Sequence, residues 1–138
     1  MNWNIKTWDA HKLQSLTLVA VIVLFVLSIL WGVFSGITLG KDKANYQNVE
    51  NLNQALHYFN SDQDRYPTAD EFYTQKLLTP FYMSAMPVPA NVNGSCKNYS
   101  QYYYSQSSPS DFSLQFCLNS GTNGLSSGVH VLTAKGVQ

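Results

Sequence analysis

The sequence predicts an α+β chain: a long N-terminal helix, membrane-spanning in its first half, packed through its second half on a small antiparallel β-sheet. Three observations lead there. No charged residue stands between Leu13 and Gly40, and a helix rising ~1.5 Å per residue needs ~20 apolar residues to cross ~30 Å of hydrocarbon. Further on, Tyr46, Val49, Leu52, Leu56 and Phe59 recur at steps of 3, 3, 4 and 3, which is one apolar stripe of an amphipathic helix. The last third carries short apolar–polar alternations divided by Asn, Gly and Ser, the pattern of half-buried strands.

Each element follows in chain order. Residues 1–13 form a mixed-charge leader with Lys6, Asp9 and Lys12. Its Trp3 and Trp8 suit a membrane interface, and a disordered leader is an equal reading. Residues 14–40 form the transmembrane helix, with Gly36 and Gly40 loosening it but no proline breaking it. The amphipathic stripe continues it, so residues 14–60 read as one helix, roughly 70 Å long at ~1.5 Å per residue. Ser61-Asp62-Gln63-Asp64 ends it, and Pro67 keeps Tyr66 out of helical backbone. Thr68 and Glu71 form a capping box for a short helix over 69–78. Residues 79–98, with Pro80, Pro87, Pro89 and Gly94, read as loop. Strands are expected from Tyr99 to Ser105, Phe112 to Leu118 and Val129 to Thr133, with turn chemistry from Asn119 to Gly124 before the last.

Composition bounds the function. Residues 41–138 are the size of one domain. Lys+Arg and Asp+Glu both total 8, so no clustered positive charge offers nucleic acid a footprint, and no nucleic acid is expected as a partner. Past Lys76 the formal charges are Lys97, Asp111 and Lys135, and Asn, Ser, Gln, Thr and Tyr carry solubility. Cys96 and Cys117 have no metal-ligand spacing around them. A reduced couple is the plainer reading. A disulfide closing a loop of about 20 residues, worth ~3 kcal/mol, fits a domain outside the cytoplasm better. Flanking charge leaves topology tied, since Asp9 offsets Lys6 and Lys12 while Asp42 offsets Lys41 and Lys43. The cysteines and the uncharged surface favour a single-pass cytoplasmic-membrane protein with residues 41–138 outside the cytoplasm.

The block from Leu52 to Thr68, with Leu52-Asn53-Gln54-Ala55-Leu56 before a polar turn and Tyr66-Pro67-Thr68 after it, resembles the type IV pilins and type II secretion pseudopilins. The major (G-type) pseudopilin is the closest likeness. The resemblance implies a pilin-like fold and a structural function in a type II secretion or type IV pilus system. It implies assembly with other pilin-like subunits through the N-terminal helix, Leu16 to Phe34, possession of a membrane anchor and a place in a filament. It aligns the family's processing and methylation site on Ser15 and Leu16. There this chain is degenerate: Ser15 replaces the family's glycine, Leu16 its phenylalanine and Ala20 its glutamate. In the family that glutamate meets a subunit's terminal amine inside the membrane, where a carboxylate needs a partner. Without it, a minor or tip-located subunit is expected, or else a membrane-tethered binding domain that never polymerises.

Other candidates are weaker. The family binds calcium in its C-terminal loop, but here Asn119, Ser120, Thr122, Asn123 and Ser126 supply no carboxylate for a hard cation, so no cofactor or metal is expected. Asp62-x-Asp64 lacks the rest of an EF-hand and reads as a solvated helix end. His11, His57 and His130 are scattered and no nucleophile stands in a triad context, so catalysis is not expected. Tyr99, Tyr102, Tyr103 and Tyr104 are expected to lay their rings on a sheet face with hydroxyls in water. Asn93-Gly94-Ser95 and Asn98-Tyr99-Ser100 match glycosylation triplets.

Overall fold

The computed structural model describes residues 10–75, 78, 81–90 and 92–138. Trp3, Trp8 and most of the expected leader lie outside the described residues. The chain divides between Gly36 and Ile37 into two compact units.

The first proline of the chain is Pro67, so nothing upstream removes a helical N–H. Helix α1 accordingly runs over Ala10–Gln63, beginning before and ending beyond the expected 14–60. It stops where Asp64 takes left-handed backbone, φ 53°, a conformation that ends helices and that Asp tolerates better than most residues.

Tyr66-Pro67-Thr68 leads into α2. The capping box is formed: the Thr68 hydroxyl accepts from the Glu71 N–H at 3.3 Å and the Glu71 carboxylate accepts from the Thr68 N–H at 2.8 Å. Arg65 grips that carboxylate with both terminal nitrogens, at 2.7 and 2.8 Å, and holds the Glu71 pKa down at about 2. Helix α2 is nevertheless only Ala69–Tyr73, not 69–78. The Thr74 hydroxyl back-bonds to the Asp70 carbonyl at 2.8 Å, and Gln75 turns left-handed at φ 58°, which closes the helix after little more than one turn.

Four strands form an antiparallel meander in the order β1-β2-β3-β4: β1 Tyr103–Ser108, β2 Asp111–Leu118, β3 Gly128–Thr133 and β4 Gly136–Val137. β2 is central, with Leu114 opposite Tyr104 on one side and Leu132 on the other. β1 starts later than the expected Tyr99, because residues before it are folded back: a 3-10 turn at Gly94–Cys96 is followed by a further turn in which the Tyr99 N–H bonds to the Cys96 carbonyl at 2.9 Å. Between β2 and β3 the chain makes a tight turn, in which Asn123 (φ 51°) and Gly124 (φ 82°) both hold positive φ and Leu125 N–H bonds to Thr122 at 2.9 Å. Asn-Gly is the pair such a turn demands.

The core lies between the outer half of α1 and the inner sheet face. Val49, Leu52, Ala55 and Leu56 meet Phe112, Leu114, Phe116, Leu118 and Leu132, with Tyr66, Phe72, Tyr102 and Tyr104 filling the flank. Each fully buried Leu or Phe contributes ~1.5–3 kcal/mol. Phe72 stacks on Tyr104 with ring centroids 4.2 Å apart. Phe59 is buried as well, but against Tyr82, edge-on at 5.5 Å, and beneath the Arg65 guanidinium. Tyr46, at the start of the stripe, packs against this core while staying partly buried. Stepping back from Val49 by four and then three residues leads to Asn45 and Asp42, and these two are the buried members.

Candidate functional site

Two features stand out, one in each unit. The first is the apolar part of α1. From Leu16 to Leu39 its large side chains are exposed around the whole circumference; Trp31 is 79% and Phe34 70% exposed. α1 is the one helix among the described residues long and apolar enough to cross a membrane. A helix apolar on every side must be covered, and a bilayer covers it without requiring a partner. Three of the four hydroxyls in this stretch, those of Thr17, Ser28 and Ser35, make no demand on lipid. Thr17 donates to the Gln14 carbonyl at 2.8 Å, Ser28 to Phe25 at 2.7 Å and Ser35 to Trp31 at 3.0 Å, so each satisfies itself within the helix. Ser15, Leu16 and Ala20 lie in α1 and are exposed. Gly32 and Gly36, four residues apart on α1, stand one above the other with open space beside them, which lets a second backbone approach closely.

The second feature is a polar seam inside the outer unit. Asp42 is fully buried, and its carboxylate accepts the backbone N–H groups of Asn119 at 2.9 Å, Ser120 at 2.6 Å and Gly121 at 3.2 Å. Gly121 is needed there: its φ is 85° and a Cβ would collide with the Leu125 carbonyl. The Asn119 side chain in turn accepts from the Ser95 hydroxyl at 3.0 Å and the Cys96 N–H at 3.2 Å. Cys96 is bonded to Cys117, with Cα atoms 5.6 Å apart. Asn45 completes the seam, donating to the Cys117 carbonyl at 2.8 Å and accepting from the Tyr102 hydroxyl at 2.6 Å. Helix, 3-10 turn, β2 and the following loop are thus joined by charge-assisted and neutral hydrogen bonds and one covalent bridge.

The tyrosine cluster divides. Tyr103 is exposed, but Tyr102 and Tyr104 bury their hydroxyls as well as their rings, contrary to expectation. Tyr104 donates to the Pro67 carbonyl at 2.7 Å. Burial raises both phenols, Tyr102 to about 12. The sequence pattern hides this, because Asn45 within α1 and the Pro67 carbonyl bring acceptors to hydroxyls that would otherwise face water.

The structure brings Cys96 to Cys117 and sets Val49, Leu52 and Leu56 in one core, while among the described side chains His57 and His130 have separate partners. His57 pairs with the Tyr66 hydroxyl at 3.1 Å, and His130 with the Ser126 carbonyl at 2.9 Å. Among the described residues no three His, Cys, Asp or Glu side chains come together as a metal site. The C-terminal loop does receive a carboxylate, Asp42, from 77 residues upstream; it serves the loop's amides. Asp42 and Asn45 were the residues sequence reading missed. Their signal was positional: polar types at the spacing of an otherwise apolar stripe. Asn93 and Asn98 of the glycosylation triplets are exposed. No protein-family model, no curated protein and no solved structure matches the chain.

Proposed function

We propose that this chain is a structural, pilin-like subunit of a type II secretion or type IV pilus system, minor or tip-located, anchored by α1 in the cytoplasmic membrane with its disulfide-closed domain outside the cytoplasm. One observation carries the reading. A single helix, Ala10–Gln63, serves first as an exposed apolar segment and then as the main strut of an α+β core. An anchor that only tethers has no need to continue as the strut of its own domain. In a subunit whose apolar helices bundle, the same helix that bundles also carries the outer domain. Space beside Gly32 and Gly36 favours such bundling. The outer surface, rich in amide and hydroxyl side chains, then sets contacts between subunits.

Ala20 favours a second reading, a tethered binding domain that does not polymerise, since no carboxylate is present to meet a neighbour's amine in lipid. Shearing distinguishes them. A minor or tip subunit appears in the sheared extracellular fraction in small amount. A tethered monomer stays with the membrane, and its Ala20→Glu variant, burdened by a cost of ~2.5–3.5 kcal/mol for a charge at mid-span and less nearer the interface, accumulates less. Abundant wild-type protein in the sheared fraction would refute both the minor-subunit and the tethered readings.

A further inference from the structure

A cleft of about 330 Å³ opens within the outer unit, lined by Ile37, Thr38 and Lys41 of α1, Asn93 just before the 3-10 turn, Ser95 in it, and Ser120 of the loop. Lys41 is the first charge after the uncharged run. Among the described residues it forms no ion pair; the recorded pair is Arg65–Glu71. The adjacent Asp42 does not neutralise it at close range, because that carboxylate is buried and bonded to the amides of 119–121. The Asn93 side chain makes no bond to the turn it precedes. The cleft therefore offers the Lys41 cation, the Asn93 amide and the Ser120 hydroxyl, while its α1 wall is apolar at Ile37.

Charge along α1 reinforces this. Lys41 and Lys43, either side of the buried Asp42, stand at the start of its outer half, and Asp62 stands in its last turn. Polar donors around a lysine, at the level where the apolar helix ends, match a phosphate that carries acyl chains. An anionic surface attracts basic residues at this position.

We propose that this cleft binds the phosphate of an anionic phospholipid headgroup, so that the outer domain is seated on the membrane as well as tethered to it. The proposal rests on the membrane-anchored reading of α1 but not on polymerisation. Free phosphate shares the chemistry; the apolar Ile37 wall and the end of the apolar run favour the lipid.

The test uses the full chain reconstituted in vesicles of phosphatidylcholine and phosphatidylglycerol, then gently extracted, with retained lipids counted by native mass spectrometry. Phosphatidylglycerol is expected to be retained in preference to phosphatidylcholine. Lys41→Gln should lower that preference about fivefold, the equivalent of ~1 kcal/mol for one lysine at an anionic surface, while Lys135→Gln, on the exposed turn before β4, leaves it unchanged. Equal retention of the two lipids, or equal loss in the two variants, overturns the proposal while leaving the anchor intact. Displacement of phosphatidylglycerol by inorganic phosphate at comparable concentration overturns the lipid assignment. A chain that fails to insert overturns the anchored reading and this site together.

Discussion

Replacing Asp42 by alanine removes the acceptor for three backbone N–H groups at once, those of Asn119, Ser120 and Gly121. A hydrogen bond to a charged group is worth ~1.5–3 kcal/mol, and a donor left buried without a partner costs ~1–3 kcal/mol. Ser120 is exposed and Asn119 and Gly121 are half-buried, so water recovers part of the loss. The expected cost is about 2–4 kcal/mol rather than the full sum of three bonds. For a unit of this size that lowers the melting temperature by on the order of 10–15 °C. Asp42→Asn keeps one side-chain oxygen and should fall between alanine and wild type. Thermal unfolding of the solubilised chain, followed by near-ultraviolet dichroism of its tyrosines, measures both variants. A melting temperature for Asp42→Ala within about 2 °C of wild type would refute the idea that the carboxylate fastens the loop to the helix, since the expected loss of ~2–4 kcal/mol cannot hide in so small a shift.

Two further outcomes follow from packing and burial. Leu56→Ala, at a fully buried position in the core, should cost ~2–5 kcal/mol, whereas Asn51→Ala, exposed on the same helix, should stay within about 0.5 kcal/mol of wild type; equal denaturant midpoints would contradict the assigned stripe. Burial raises Tyr102 from 10.0 to about 12, so its neutral form is favoured in the folded state. Its contribution is complete below pH 10 and is lost as pH rises through about 12. Absorbance at the phenolate band, recorded alongside dichroism, should show the last tyrosines ionising together with unfolding; full ionisation of a still-folded chain would contradict the burial.

Much of the fold was legible because its determinants are local or periodic. The uncharged run, the stripe through Val49, Leu52 and Leu56, the Thr68–Glu71 box and the Asn123-Gly124 turn each follow from neighbours a few residues apart. What was not legible depends on contacts across long separations. Asp42 reads in sequence as a charge that offsets Lys41 and Lys43, and only the fold brings it to amides 77 residues away. Tyr46 is the more apolar choice at its position, yet helical geometry turns Asn45 inward to meet Cys117 and Tyr102. α2 looked longer because the capping box marks where a helix starts but says nothing of where it stops; Thr74 and the left-handed Gln75 settle that. β1 was placed too early because Tyr99 has strand propensity, but the Cys96 carbonyl takes its N–H into a turn.

The proposed function turns on what happens at Ser15 and Leu16. The mass and N-terminal sequence of the mature chain, isolated from membranes of cells carrying the secretion or pilus machinery, test it most directly. A processed pilin-like subunit begins at Leu16, with its leader removed. A chain that retains its leader in full in those membranes would contradict the filament account and leave a tethered domain in its place.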